Sequence, residues 1–183
     1  MYQSFKEAFP EVEWIQDEML RSQVEMVYRE ALKMGNWELE DVDVLPFTLV
    51  IPDTIISYRT HVRAVTRMSY QAYQEAKGLY EEKYALNFDY LIAGALLHDV
   101  GKIIEYTKNE DGKFVKSYIG KNLRHPFSGA GLAMKFDLPC EVAHIIANHA
   151  HEGNGTLRSP EGVVIYHADM LNFEMLKSFV GMI

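Results

Sequence analysis

The sequence is poor in cysteine and in long apolar runs. Its 183 residues include one cysteine, Cys140, so an intrachain disulfide is excluded. No run approaches the roughly 18 apolar residues of a membrane-spanning helix, and the first residues lack the basic and apolar regions of a secretory signal peptide. These absences favour a protein of the reducing cytoplasm that does not enter a membrane.

Positive charge is also scarce. The chain has 18 Lys and Arg residues against 26 Asp and Glu residues, which gives a net charge of −8. An acidic surface repels phosphate backbones, so nucleic acid is disfavoured as a partner. A bound cation can still make the field of one site positive, because its charge adds to that of the protein locally.

Internal repeats and Pro/Gly/Ser-rich linkers are absent, which favours one main domain. We divide the chain into an N-terminal helical extension, residues 1–50, and a domain over residues 51–183. A helical stripe covers residues 11–34, and Gly35-Asn36 is expected to end it. We expect the extension to pack on the domain or on a second subunit, which leaves a homodimer open.

The domain is predicted to be mainly α-helical, because its apolar residues recur with a helical period. The exception is residues 103–119, where Asp111-Gly112 is a strong turn signal between two β-prone segments and predicts a short hairpin. Two of the predicted helices are capped by Asp53 or Thr54 and by Asn87 or Asp89. The other three begin at Pro126, Pro139 and Pro160.

The stretch ALLHDVGK, residues 95–102, leads an apolar helix directly into His98 and Asp99. An imidazole and a carboxylate are unfavourable in an apolar interior unless they have partners. A divalent metal ion would be such a partner, and it takes N and O ligands that converge from several elements. Other histidines and acids lie beside apolar sequence on separate predicted helices or at their ends: His61, His125, His149 and Asp169.

Four fragments occur in a characteristic order after His61: GALLHDVGKI, HPFSGAGLA, IIANHAHEGNG and IYHADML. This pattern resembles the HD-domain superfamily of metal-dependent phosphohydrolases, over roughly residues 54–180. The resemblance implies an all-α HD-domain helical bundle into which the hairpin is inserted. It also implies divalent metal ions as cofactors, drawn from Fe, Mn, Co, Mg, Ni and Zn.

The resemblance further implies which residues hold the metal. Asp99 would bridge two ions in each chain. The sequence departs from the family pattern at His149-Ala150-His151, where related proteins often have two adjacent histidines. The motif register favours His149 as the ligand and His151 as a substrate contact, and the reverse assignment stays open. The implied ligand set is His61, His98, Asp99, His125, His149 and Asp169.

The implied reaction is hydrolysis of a phosphomonoester or phosphodiester by a metal-bridged hydroxide. The substrate would be a small phosphorylated molecule such as a nucleotide. Asp99 and Lys102 are the expected catalytic residues, with Lys102 stabilising charge on the phosphoryl group. A solvated lysine is the alternative interpretation of Lys102. Arg63 is a further candidate for holding phosphate.

Two other activities use similar HD-domain ligands. A mixed-valent di-iron oxygenase would activate O₂ with the same histidines and aspartates. A 3′–5′ exoribonuclease is suggested by the segment between the His-Asp motif and His125, although the net charge of −8 argues against it. His144 and His167 are expected to be ordinary hydrogen-bonded side chains.

Overall fold

The computed structural model describes residues 2–51, 54, 56–80, 82 and 85–183. Within these residues the chain forms nine α-helices and one antiparallel two-stranded sheet, which confirms the all-α class with a short hairpin. None of the helices in this described part combines the length and hydropathy of a transmembrane span. In chain order the elements are α1 (Phe5–Ala8), α2 (Glu18–Gly35), α3 (Tyr58–Leu79), α4 (Phe88–Leu97), α5 (Lys102–Glu105), β1 (Tyr106–Lys108), β2 (Phe114–Lys116), α6 (Tyr118–Asn122), α7 (His125–Lys135), α8 (Cys140–Asn148) and α9 (Pro160–Phe179).

Helix α4 forms the centre of the bundle. Every residue from Leu91 to Leu97 is buried, and α4 packs against α2, α3, α8 and α9. A helix that is apolar all round is stable only when other helices surround it. Gly94 allows a close crossing, since a Cβ there would lie 2.8 Å from Ile145 Cγ2.

The N-terminal extension packs on the domain and shares its hydrophobic core. Tyr28 is fully buried and donates a hydrogen bond from its hydroxyl to the Leu96 carbonyl, at 2.6 Å. Helix α2 begins at Glu18 rather than at residue 11, because the Asp17 side chain caps it there. It ends as expected before Asn36, which adopts the left-handed conformation at φ 57°. The division at residue 50 stays a prediction.

Helix α3 begins later than the sequence indicated. Thr54 is not its cap, and Asp53 lies outside the described residues. Ser57 bridges to Pro46 in an extended conformation, and its side chain accepts a hydrogen bond from the Thr60 N–H. His61 therefore lies in the first turn of α3.

The hairpin is shorter than predicted. Residues 102–105 form the helical turn α5, which buries Ile103 and Ile104, and residues 118–122 form α6. Only three residues remain in each strand, with Thr107 opposite Val115. The turn falls at the predicted position, where Gly112 has a φ of +75° that favours glycine.

Candidate metal centre

Asp99 lies at the centre of a cluster of buried histidines. The apolar helix α4 places His98 and Asp99 in the interior, where both are fully buried. Asp99 Oδ2 lies 3.2 Å from His61 Nε2 and 3.5 Å from His98 Nε2. Asp99 Oδ1 lies 3.2 Å from His125 Nε2 and 3.4 Å from His149 Nε2. Each carboxylate oxygen therefore faces its own pair of imidazoles.

Helix α9 adds a second carboxylate on one side of the cluster. Asp169 is buried, and its Oδ1 lies 3.2 Å from His61 Nε2. The structure thus brings together all six residues that the sequence singled out as metal ligands. We call these six residues the candidate metal centre: His61, His98, Asp99, His125, His149 and Asp169.

Two imidazoles of the centre are oriented by their own helices. His98 Nδ1 donates to the carbonyl of Ala95, and His149 Nδ1 donates to the carbonyl of Ile146, both at 2.7 Å. A carbonyl oxygen only accepts hydrogen bonds, so the proton of the neutral ring lies on Nδ1. The Nε2 atoms therefore direct their lone pairs at Asp99, as metal-ligating histidines do.

The other two imidazoles are oriented by side chains from distant elements. His61 Nδ1 lies 2.7 Å from Asn172 Oδ1, and His125 Nδ1 lies 2.9 Å from Glu105 Oε2. These contacts also fix a proton on Nδ1 and leave Nε2 to face Asp99. Neither partner was predicted from the sequence. Asn172 could have been found from its position one helical turn after Asp169, which places both residues on the same face of the helix.

Gly101 allows α7 to approach the centre. Its φ of −62° is an ordinary helical value, so a backbone bend is not the reason for glycine here. A Cβ at Gly101 would instead lie 2.6 Å from Ser128 Oγ and collide with the His125 carbonyl. The absence of a side chain thus lets the first turn of α7 lie directly against the HDVG segment.

The ionisable groups around Asp99 strongly shift one another's pKa values. Burial opposes a charge on His61, but the carboxylates of Asp169 and Asp99 outweigh it and raise the pKa of His61 to about 9. Burial likewise opposes ionisation of Asp99, but the charge of Lys102 holds the pKa of Asp99 well below its ordinary value. The centre therefore concentrates carboxylate charge that attracts cations.

Two atoms in the centre have no hydrogen-bond partner among the described residues, Asp99 Oδ1 and His149 Nε2. Both are buried, and leaving such atoms unpaired costs on the order of 1–3 kcal/mol each. Two groups of potential ligand atoms each lie within 4.8 Å of one another, and they share Asp99: His61 with His98, and His125 with His149. This mixed set of imidazole and carboxylate donors fits first-row divalent ions.

Lys102 lies at the edge of the centre. Its Nζ donates to Asp99 Oδ2 at 2.6 Å, and 12% of the side chain is exposed. Burial disfavours the ammonium, but Asp99 raises the pKa of Lys102, so it stays cationic. The ammonium is therefore a fixed positive charge beside the carboxylate that faces both histidine pairs.

The structure does not bring Arg63 or His151 into this cluster. The Arg63 guanidinium pairs with Glu11, whose two carboxylate oxygens each accept from Nε at 3.0 Å. His151 is 74% exposed and its Nδ1 lies 3.2 Å from Glu152. The difference between His149 and His151 arises because α8 ends at Asn148, and only His149 is still oriented by its helix.

The two remaining histidines also lie outside the centre. His144 is half-buried and contacts Asn148 one turn along α8. His167 is exposed on α9, with its ring 5.1 Å from that of Tyr166.

Glu105 is a further buried acid that sequence reasoning missed. It is 2% exposed and contacts His125. Burial opposes its ionisation, but the hydrogen bond from His125 and the charge of Arg124 lower the pKa of Glu105 to about 2. Burial lowers the pKa of His125 to about 4 despite this neighbour. At neutral pH an ionised carboxylate therefore faces a neutral imidazole.

Comparison with known proteins identifies the family. The HD domain matches residues 58–173, so the chain belongs to the HD domain family, and the resemblance found in the sequence is confirmed. No solved structure matches the chain significantly.

One curated relative shares part of the chain. Over 92 residues the chain is 40% identical to the dihydroneopterin 2′,3′-cyclic phosphate phosphodiesterase of Methanocaldococcus jannaschii. The aligned part is 49% of this chain and 36% of that relative, so the similarity spans about a third of the relative's length.

Proposed function

We propose that this protein is a metal-dependent phosphohydrolase that cleaves a phosphodiester, with a small cyclic phosphodiester as its substrate. One observation carries the proposal: the two oxygens of Asp99 face separate pairs of buried imidazoles. A carboxylate can span two cations, and this arrangement supports two divalent ions in each chain. Family membership supports the same chemistry.

The six residues of the candidate metal centre would hold the ions. When bound, divalent ions lower the pKa of a water molecule and neutralise charge on phosphoryl oxygens. His61, His98 and Asp169 would serve one position, and His125 and His149 the other. Their hydrogen bonds through Nδ1 orient the Nε2 atoms toward Asp99. Binding would therefore need little rearrangement of the side chains, and the ion would displace the proton that the carboxylates favour on His61.

Lys102 would contribute to catalysis directly. Its ammonium lies beside Asp99 Oδ2 at the edge of the centre, and 12% of the side chain is exposed. There it can donate hydrogen bonds to a phosphoryl oxygen and stabilise negative charge as that charge grows. The ring of Phe47 flanks this edge, with its centroid 5.9 Å from Lys102 Nζ and 4.7 Å from the His61 ring centroid.

The choice of a cyclic phosphodiester comes from the relative, whose name describes hydrolysis of a 2′,3′-cyclic phosphate. The identity of 40% supports a related reaction. We also propose a cytoplasmic location, which rests on the single cysteine.

The test is a hydrolysis assay on protein that is purified metal-free and reloaded separately with Mn²⁺, Fe²⁺, Co²⁺ or Mg²⁺. The substrates are 2′,3′-cyclic nucleotides, bis(p-nitrophenyl) phosphate and p-nitrophenyl phosphate. We expect diester hydrolysis that requires metal and is lost in Asp99→Ala. Asp111→Ala, at the exposed turn of the hairpin, is the matched control and should keep wild-type activity.

The assay also separates the alternatives. An absence of hydrolysis with every metal and substrate contradicts the proposal. Oxygen consumption by the iron-loaded protein, together with a mixed-valent EPR signal, would instead indicate the di-iron oxygenase. Shortening of single-stranded RNA, with binding that weakens steeply with salt, would indicate the exoribonuclease.

A further inference from the structure

We propose that Glu105 is a positioning residue for the His125 half of the candidate metal centre, and that the hairpin and α6 serve to immobilise it. This inference rests on the proposed function. It assigns a role to the segment inserted between the His-Asp motif and His125.

His125 needs an orienting partner that its own helix cannot provide. His98 and His149 follow the last residues of their helices, so a carbonyl three residues earlier accepts from Nδ1. His125 is instead the first residue of α7, and no turn of that helix precedes it. The acceptor for His125 Nδ1 must therefore come from another element.

Glu105 supplies this acceptor and holds His125 at two points. The same oxygen, Oε2, accepts from the His125 backbone N–H at 3.0 Å and from His125 Nδ1 at 2.9 Å. A carboxylate at the first residue of a helix is stabilised by the unpaired N–H groups and the helix dipole. One side chain thus fixes both the start of α7 and the orientation of its imidazole.

The inserted segment holds Glu105 in turn. Its Oε1 lies 3.3 Å from Lys116 Nζ on β2, and the Ser117 N–H donates to its backbone carbonyl at 2.8 Å. Helix α6 packs so closely that a Cβ at Gly120 would lie 2.6 Å from Glu105 Cγ. These contacts hold the backbone carbonyl and Oε1 of Glu105, while Oε2 contacts His125.

Arg124 links this arrangement to the segment that follows His149. Its Nη1 lies 3.5 Å from Glu105 Oε1, and its Nε donates to Glu152 Oε1 at 2.9 Å. The contact between Arg124 and Glu152 joins the chain segment that carries His125 to the one that carries His149. By contrast, His61 on the other side of Asp99 is oriented by a neutral amide, that of Asn172. Of the four imidazoles of the centre, only His125 thus has an ionised carboxylate as the acceptor for its Nδ1 proton.

The test measures metal binding directly. Metal-free wild type, Glu105→Gln and Glu110→Gln are titrated with Mn²⁺ by calorimetry, where Glu110 is an exposed hairpin residue that serves as the matched control. We expect two binding events in the wild type and in the control. In Glu105→Gln one event should weaken by about 10- to 100-fold, as is typical when an outer-shell partner of a metal-ligating histidine is lost, and the other should be unchanged.

A second pair of variants shows which position is affected. His149→Ala should bind one ion, held by the residues on the other side of Asp99. Adding Glu105→Gln to His149→Ala should leave the affinity for that ion unchanged, because both substitutions act on the same position. Thermal unfolding of the metal-free variants checks that they fold. If Glu105→Gln does not fold, Glu105→Asp replaces it, since its shorter side chain cannot keep both contacts with His125.

The outcomes are distinct. If the wild type binds two Mn²⁺ ions and Glu105→Gln binds both with the same affinity, the role of Glu105 is contradicted but the proposed function is not. Equal weakening of both events, or weakening of the ion that remains in His149→Ala, also contradicts the role of Glu105, because either result indicates a general structural role. Wild type that binds no divalent ion contradicts the proposed function itself.

Discussion

Asp99 Oδ1 and His149 Nε2 lie 3.4 Å apart in the interior, and neither atom has a hydrogen-bond partner among the described residues. The His149 ring cannot donate to Asp99 in its neutral form, since its proton lies on the nitrogen that contacts Ile146. A cation between the two lone pairs would stabilise both atoms.

His149 and His151 should differ in metal binding although only one residue separates them. His149→Ala should reduce the metal content from two ions per chain to one, because a buried ligand is removed. His151→Ala should keep both ions, since its imidazole is 74% exposed and faces Glu152. Elemental analysis of the two variants side by side provides the measurement. The reverse result would show that His151 is the ligand.

Asp99→Ala should lose at least one of the two ions, together with hydrolytic activity. The substitution removes the only group that lies within 3.5 Å of all four imidazole Nε2 atoms in the described part of the chain. The measurement is the metal content after dialysis, with Asp111→Ala as control. Two tightly held ions in Asp99→Ala would contradict the bridging assignment.

Lys102→Ala should keep the wild-type metal content but have a lower kcat. Loss of one preorganised donor to a developing negative charge typically lowers kcat by about 10²- to 10³-fold. The measurements are kcat and metal content in the same preparation, and Lys108→Ala, an exposed residue of β1, is the control. An unchanged kcat would contradict a catalytic role for Lys102 and leave it a structural partner of Asp99.

Removal of metal should lower thermal stability. A ligand that binds only the folded state at 100 times its Kd contributes about 2.7 kcal/mol, which corresponds to a Tm shift of about 5 to 10 °C for a chain of this size. Differential scanning calorimetry before and after chelation, and again after Mn²⁺ is restored, measures the shift. Asp99→Ala should show a smaller difference, and a Tm of the wild type that does not respond to metal would argue against occupancy of the centre.

Local features of the sequence were sufficient for much of the fold. The helical period, the cap at Asn87 and the turn at Gly112 are local, and the structure has a helix or a turn at each. The start of α3 was not predictable in this way. Thr54 and Ser57 are both good caps, and the bridge between Ser57 and Pro46 joins segments that no local pattern connects.

The sequence by itself determined the HD domain family and the candidate ligands, because the ordered His and Asp fragments are a property of the chain. Only the tertiary structure decided that His149 and not His151 points inward, that Glu11 pairs with Arg63, and that Glu105 and Asn172 orient His125 and His61. The physical reason is that a hydrogen bond or ion pair depends on distances of about 3 Å. Between residues such as His61 and Asn172, which are 111 positions apart, those distances are set by helix packing.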